Sequence, residues 1–116
     1  AQAAEVVPIK SAKTLVAVAG TATTVAAAAL NLAKYDSDLI HLAKISAIET
    51  RRVSDWLLSL TRQERGDLGY MHPGRVDVIA AGSLEFAEII EATGLTSFVA
   101  SENDILDGMV WSMLNA

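Results

Sequence analysis

Apolar positions along the chain alternate between two spacings. Thr14 to Ala19 reads Thr-Leu-Val-Ala-Val-Ala, a run of β-branched and small apolar side chains that predicts a strand covered on both faces. Gly20 and three threonines interrupt the run. Ala22 to Lys34 then continues alanine-rich up to Tyr35-Asp36-Ser37, which predicts a helix. Thr21, Thr23 and Thr24 therefore fall on a strand-to-helix turn, where open α/β sheets place ligands because the first amides of a helix are unpaired. Two readings of the turn stand side by side. The hydroxyls cap the helix while Gly20 permits a tight reversal, or they face a ligand; both can hold at once.

Three further helix starts share one device. Ser46…Glu49, Thr61…Glu64 and Ser101…Asp104 each set a hydroxyl three residues before a carboxylate, the spacing at which cap and third residue satisfy each other's amides. After the first of these, Ile48, Val53, Trp56, Leu57 and Leu60 share one side of a predicted helix, and Glu49, Arg51, Arg52 and Asp55 form its solvated face. His72 to Gly94 predicts the longest helix, with Pro73 at its first position and Gly94 as the left-handed residue after its last turn. Its inner face is Val76, Ile79, Ala80, Ser83, Phe86, Ala87 and Ile90. Gly82, in mid-helix, costs about 1 kcal/mol against alanine, so either a neighbouring helix or a ligand comes close there. Thr96 to Ala100 predicts a short strand, and the apolar residues of Ile105 to Leu114 predict a largely buried closing helix.

Composition narrows the class. A chain of 116 residues with 52% hydrophobic and 20% charged content predicts one globular domain over 1–116, with no repeat and no linker. No apolar run reaches the ~20 residues of a membrane span and no signal segment opens the chain, so a soluble, unexported protein with no membrane partner is expected. The absence of cysteine fits a reducing compartment, hence the cytoplasm. A net charge of −5 with no basic stripe argues against nucleic-acid binding. The chain opens at Ala1 without methionine, in residues patterned like the last turns of a helix before Pro8, which predicts a piece of a longer protein. His41 and His72 stand far apart with no zinc-binding spacing around them. Asp36-Ser37-Asp38 lacks the glycine and later glutamate of a calcium loop and is read as a turn. No Gly-x-Ser-x-Gly elbow is present.

The segments TLVAVAGTATTVAA, IHLAKIS, LTRQER, HPGRVDVIAAGSL and SENDILDGMVWSML, in this order, resemble the C-terminal part of the second domain of the exopolyphosphatase and guanosine pentaphosphate phosphatase (Ppx/GppA) family, in its actinobacterial-type branch. The resemblance implies an α/β fold: part of an actin-like domain of the sugar kinase, Hsp70 and ribonuclease H-like kind, with few parallel strands and several helices. It implies an enzyme that hydrolyses the terminal phosphate of inorganic polyphosphate or guanosine pentaphosphate with Mg2+, in a cleft between two domains. The family's catalytic acidic residue belongs to the first domain, and its Gly-Gly-Gly phosphate loop opens the second. No Gly-Gly pair occurs in this chain, so the resemblance assigns it no catalytic residue, no metal ligand and no turnover of its own.

What the resemblance does assign is a phosphate-binding set, Gly20, Thr21, Thr23 and Arg75, and a nucleotide-approach position at Gly82 and Ser83. Arg75 has a plainer alternative, a pair with Asp77 or a nearby helix C-terminus. His41 matches a structural histidine of the family. Expected partners are polyphosphate or guanosine penta- or tetraphosphate, the missing N-terminal domain of the same protein, and a second copy in a homo-oligomer. In the family's sheet, the strand at Thr14–Ala19 has a neighbour that precedes this sequence, so here it is expected to present an open edge that invites pairing. Two other classes stay open: a guanosine tetraphosphate-binding regulatory module with little turnover, and a helix-rich assembly module with no anion affinity.

Overall fold

Strands β1 (Val16–Val18), β2 (Lys44–Ser46) and β3 (Ser97–Ser101) form a three-stranded sheet in the order β1-β3-β2, in a computed structural model that describes residues 2–115. β1 runs parallel to β3, with Val18 beside Ser101, so both strands deliver their C-terminal ends to the same edge. β2 is antiparallel to β3, with Ile45 opposite Phe98. The sequence reading did not find β2, because three residues are too few to show an alternation.

The described residues form seven α-helices: α1 (Gln2–Val6), α2 (Ala19–Ala29), α3 (Ser37–Ile40), α4 (Ala47–Ser59), α5 (Arg62–Gly66), α6 (Ile79–Thr93) and α7 (Ile105–Leu114). The expected helix before Pro8 is α1, and Ala1 lies outside the described residues. Inward-facing Ala17, Ile45, Phe98 and Ala100 meet α2, α4 and α6. The two phenylalanine rings, Phe86 of α6 and Phe98 of β3, cross edge to face at 4.7 Å, a geometry that suits the aromatic quadrupoles.

Alanine makes the centre possible. Ala22, Val25, Ala26, Ala27 and Ala28 are all buried, so α2 has no solvated stripe over these turns and lies between the sheet and its two neighbouring helices. α4 turns Thr50, Val53, Ser54 and Leu57 inward. Ile48, placed on that stripe by spacing, is instead 82% exposed and Trp56 sits at the margin. Arg51 ties α4 to α6 through Glu88 and Glu91, at 2.9 and 2.7 Å.

The sheet is covered on one face only. Val16 and Val18 of β1 point outward and are exposed, which corrects the expectation of a strand buried on both sides. The expected long helix also divides. Pro73–Arg75 is a single 3-10 turn, and the α-helix starts at Ile79; Gly94 closes it at φ 75° as expected. Ser46 caps α4 and Thr61 forms a full capping box with Glu64. The third box is displaced by three residues: Ser101 ends β3, and Asp104 caps α7 reciprocally with Asp107.

α7 reverses its expectation. None of its residues is buried, and Ile105, Leu106, Met109, Val110, Trp111, Met113 and Leu114 all face solvent. The helix is held locally, by the Asp104 carboxylate accepting from Leu106 N and by Asp107 accepting from Asp104 N. Asp104→Ala is therefore expected to remove about 1 kcal/mol from α7 alone. Circular dichroism should lose part of the helical signal, and amide exchange at Met109 to Met113 should accelerate, while the main thermal transition stays in place.

Candidate functional site at the C-terminal ends of the parallel strands

The turn from β1 into α2 is built differently from its sequence reading. Ala19, not Gly20, takes the left-handed conformation, at φ 70°, a strained choice for a residue with a Cβ. Gly20 is needed for space: a Cβ there would overlap the Arg75 guanidinium lying across it. No side chain caps α2. Thr23 is buried, and its hydroxyl donates backward to the carbonyls of Ala19 (3.2 Å) and Gly20 (3.3 Å). The capping role proposed for the threonines is thus not realised, and the first amides of α2 are left without a side-chain acceptor.

These groups border a cavity of about 480 Å³ at the edge where β1 and β3 end. Ala19, Gly20 and Thr23 form one side, His72 and Arg75 of the 3-10 turn a second, and Ser101, Glu102 and Asp104 a third; Tyr35, Tyr70 and Met71 add apolar surface. This is where open α/β sheets bind ligands, and the volume is in the range of small-molecule sites.

Arg75 fills neither of its plainer roles. Asp77 is taken by Arg62 at 2.6 Å, and the arginine that caps a helix C-terminus is Arg65, donating to the carbonyls of Leu57 and Leu60 at 2.9 Å each. No hydrogen bond or ion pair to the Arg75 side chain exists among the described residues. A half-buried guanidinium is thereby presented to the cavity with its planar fork of donors free.

Thr21, Gly82 and Ser83 lie elsewhere. Thr21 turns to the other side of α2, and its Oγ1 would stand 3.2 Å from a Cβ at Gly82. The missing side chain of Gly82 is therefore the seat of a neighbouring helix. Ser83 is fully buried and donates to the Ala80 carbonyl at 2.9 Å. Of the six sequence candidates, the fold gathers Gly20, Thr23 and Arg75 in one cavity and sets Thr21, Gly82 and Ser83 apart from it.

Sequence reasoning missed the opposite wall. Tyr35 donates its hydroxyl to Glu102 Oε1 at 2.5 Å, and the backbone amide of Glu102 donates to His41 Nδ1 at 3.0 Å. His41 is thus the structural hydrogen-bonding residue expected of it. Burial, followed by the hydrogen bond to Glu102, raises the Tyr35 pKa above its ordinary value, and burial raises that of Tyr70. The signal for Glu102 was available: the rule that drew attention to the end of β1 applies equally to the end of β3.

No family model matches the chain. It is 39% identical to exopolyphosphatase 2 of Mycobacterium tuberculosis over 111 residues, covering 92% of this chain and 35% of that protein. A solved exopolyphosphatase-like protein superposes with a TM-score of 0.83 at 35% identity, over 90% of this chain and 36% of its own. The chain belongs to the Ppx/GppA family. A member from Aquifex aeolicus, 22% identical, has a TM-score of 0.82 over 92% of this chain and 37% of its own, and shows the shared actin-like fold. This Ppx/GppA chain spans about a third of the length of the curated relatives it matches.

The described residues do not by themselves assemble a full ligand set for a divalent cation. Among the described residues no group of three or more histidine, aspartate or glutamate side chains converges. Of the cavity's carboxylates, Glu102 accepts from the Tyr35 hydroxyl and Asp104 from the amide of Leu106. No described helix is long and apolar enough to cross a membrane.

Proposed function

We propose that this chain is the C-terminal part of the second domain of an exopolyphosphatase-type phosphohydrolase and forms one wall of its polyanion cleft. The observation that carries the reading is the unpaired Arg75 guanidinium, laid on Gly20 beside the uncapped start of α2. Helix-start amides and a guanidinium fork bind phosphate oxygens directionally. The wall therefore orients and neutralises the chain end from which phosphate leaves; water activation and the main phosphate loop belong to other parts of the longer protein. Mg2+, carried by the family resemblance, is held by groups outside this set, and no step is assigned to it. The cytoplasm is the proposed compartment.

A second reading, a guanosine tetraphosphate-binding module with little turnover, draws support from Tyr35 and Tyr70. Their aromatic surface in the cavity suits a nucleobase better than an inorganic chain. The full-length protein separates the two. Orthophosphate release from long polyphosphate with Mg2+ supports the hydrolase; tight alarmone binding without release supports the module. Stable self-association with no affinity for either anion overturns both.

A further inference from the structure

The cavity at the strand ends holds a cation and a carboxylate that do not meet. Arg75 and Glu102 both line it and both are half-buried, yet no ion pair to Arg75 exists among the described residues. Opposite charges sharing one cavity attract unless something holds them apart. Two contacts do so. The Tyr35 hydroxyl donates to Glu102 Oε1 at 2.5 Å, in the range of a charge-assisted bond to a carboxylate, and His41 Nδ1 accepts from the Glu102 amide at 3.0 Å.

Both contacts come from the flanks of α3. Tyr35 precedes Asp36, whose carboxylate caps the helix by accepting from Asp38 N at 3.0 Å, and His41 follows its last residue, Ile40. Leu42 N, one residue further on, donates to the Ala100 carbonyl at 2.7 Å and ties that flank to β3. A short helix thus braces the residue that follows β3. Burial, followed by the contact with Glu102, raises the Tyr35 pKa, while the Thr23 hydroxyl and the Arg75 guanidinium pull it down. Carboxylate, hydroxyl and guanidinium are therefore neighbours.

We propose that Tyr35 is a positioning residue for anion capture: its hydroxyl keeps the Glu102 carboxylate from pairing with Arg75, so that the guanidinium fork stays open to an incoming phosphate. Without that hydroxyl, Glu102 turns to the guanidinium and competes with the anion for the same donors. Asp104, the cavity's other carboxylate, is engaged at the start of α7, where it accepts from Leu106 N at 2.9 Å. The inference rests on the reading of Arg75 as an anion ligand and gives Glu102 the part of an internal competitor.

In the longer protein that contains this chain, titration calorimetry with long-chain inorganic polyphosphate, divalent cations chelated, reads the binding step. Tyr35→Phe is expected to weaken binding about two- to fivefold, what an ion pair of this exposure is worth. The loss should vanish in the Glu102→Gln and the Arg75→Ala backgrounds, because each removes one member of the competing pair. A merely structural tyrosine would weaken binding in all three backgrounds alike. If Tyr35→Phe fails to fold, Tyr35→Leu, also without a hydroxyl, provides the same reading. Wild-type affinity in the Tyr35 variant, or a loss that persists beside Glu102→Gln, overturns the inference alone as long as Arg75→Ala weakens binding. An Arg75→Ala protein that binds like the wild type overturns the cleft reading and this inference with it.

Discussion

Arg75→Ala is expected to lower the chain's affinity for inorganic polyphosphate by about 10- to 100-fold, the equivalent of ~1.5–3 kcal/mol for a hydrogen bond to a charged group. Gly20→Ala should do nearly the same without touching the arginine. Gly20 has no positive φ to protect, and alanine is worth up to ~1 kcal/mol over glycine inside a helix, so the folded state should be unchanged or slightly firmer. The added Cβ, however, occupies the place of the guanidinium, which must swing out of the cavity. Titration calorimetry with polyphosphate and a urea melt on the same samples separate the two effects. A Gly20→Ala protein that binds like the wild type would show that the arginine's resting place has no bearing on anion capture.

The second large effect is on stability. Phe98 is fully buried at the middle strand of the sheet and crosses Phe86 edge to face. Removing a buried phenylalanine to alanine costs ~3–5 kcal/mol through lost transfer energy and the cavity left behind. A domain of this size has about 5–15 kcal/mol in total, so Phe98→Ala should lower the thermal midpoint by more than about 10 °C, or leave the chain unfolded at 37 °C. Phe98→Leu keeps most of the volume and should cost less than half as much. Equal losses in the two variants would mean that the ring's shape, not its bulk, holds the layers together.

Much of this layout is legible in the sequence. The β1 and β3 runs, the caps at Ser46 and Thr61 and the Gly94 stop each rest on a local rule, in which a few adjacent residues settle the backbone among themselves. The errors fall where the outcome depends on neighbours distant in sequence. α7 has the composition of a core helix, and composition does not say whether another element lies against it. Ile48 and Thr50 are two positions apart, and only the direction from which α6 approaches α4 puts Thr50 inside. Gly20 looked like a hinge because glycine often is one; the arginine that needs its space is 55 residues away in sequence, by the positions of Gly20 and Arg75. Glu102 was read as part of a helix start, and its bonds to Tyr35 and His41 span 67 and 61 residues.

The buried alanines of α2 also limit how this protein can vary. Ala22, Ala26 and Ala27 are buried between the sheet and the neighbouring helices α4 and α6, and each enlargement there overpacks the centre by about 1–3 kcal/mol. Mutational drift cannot re-aim the start of that helix by rotating it. Diversification of what the cavity accepts is left to its rim, to Tyr35 and Glu102, which are hydrogen-bonded to each other and change as a pair while the inner scaffold stays frozen.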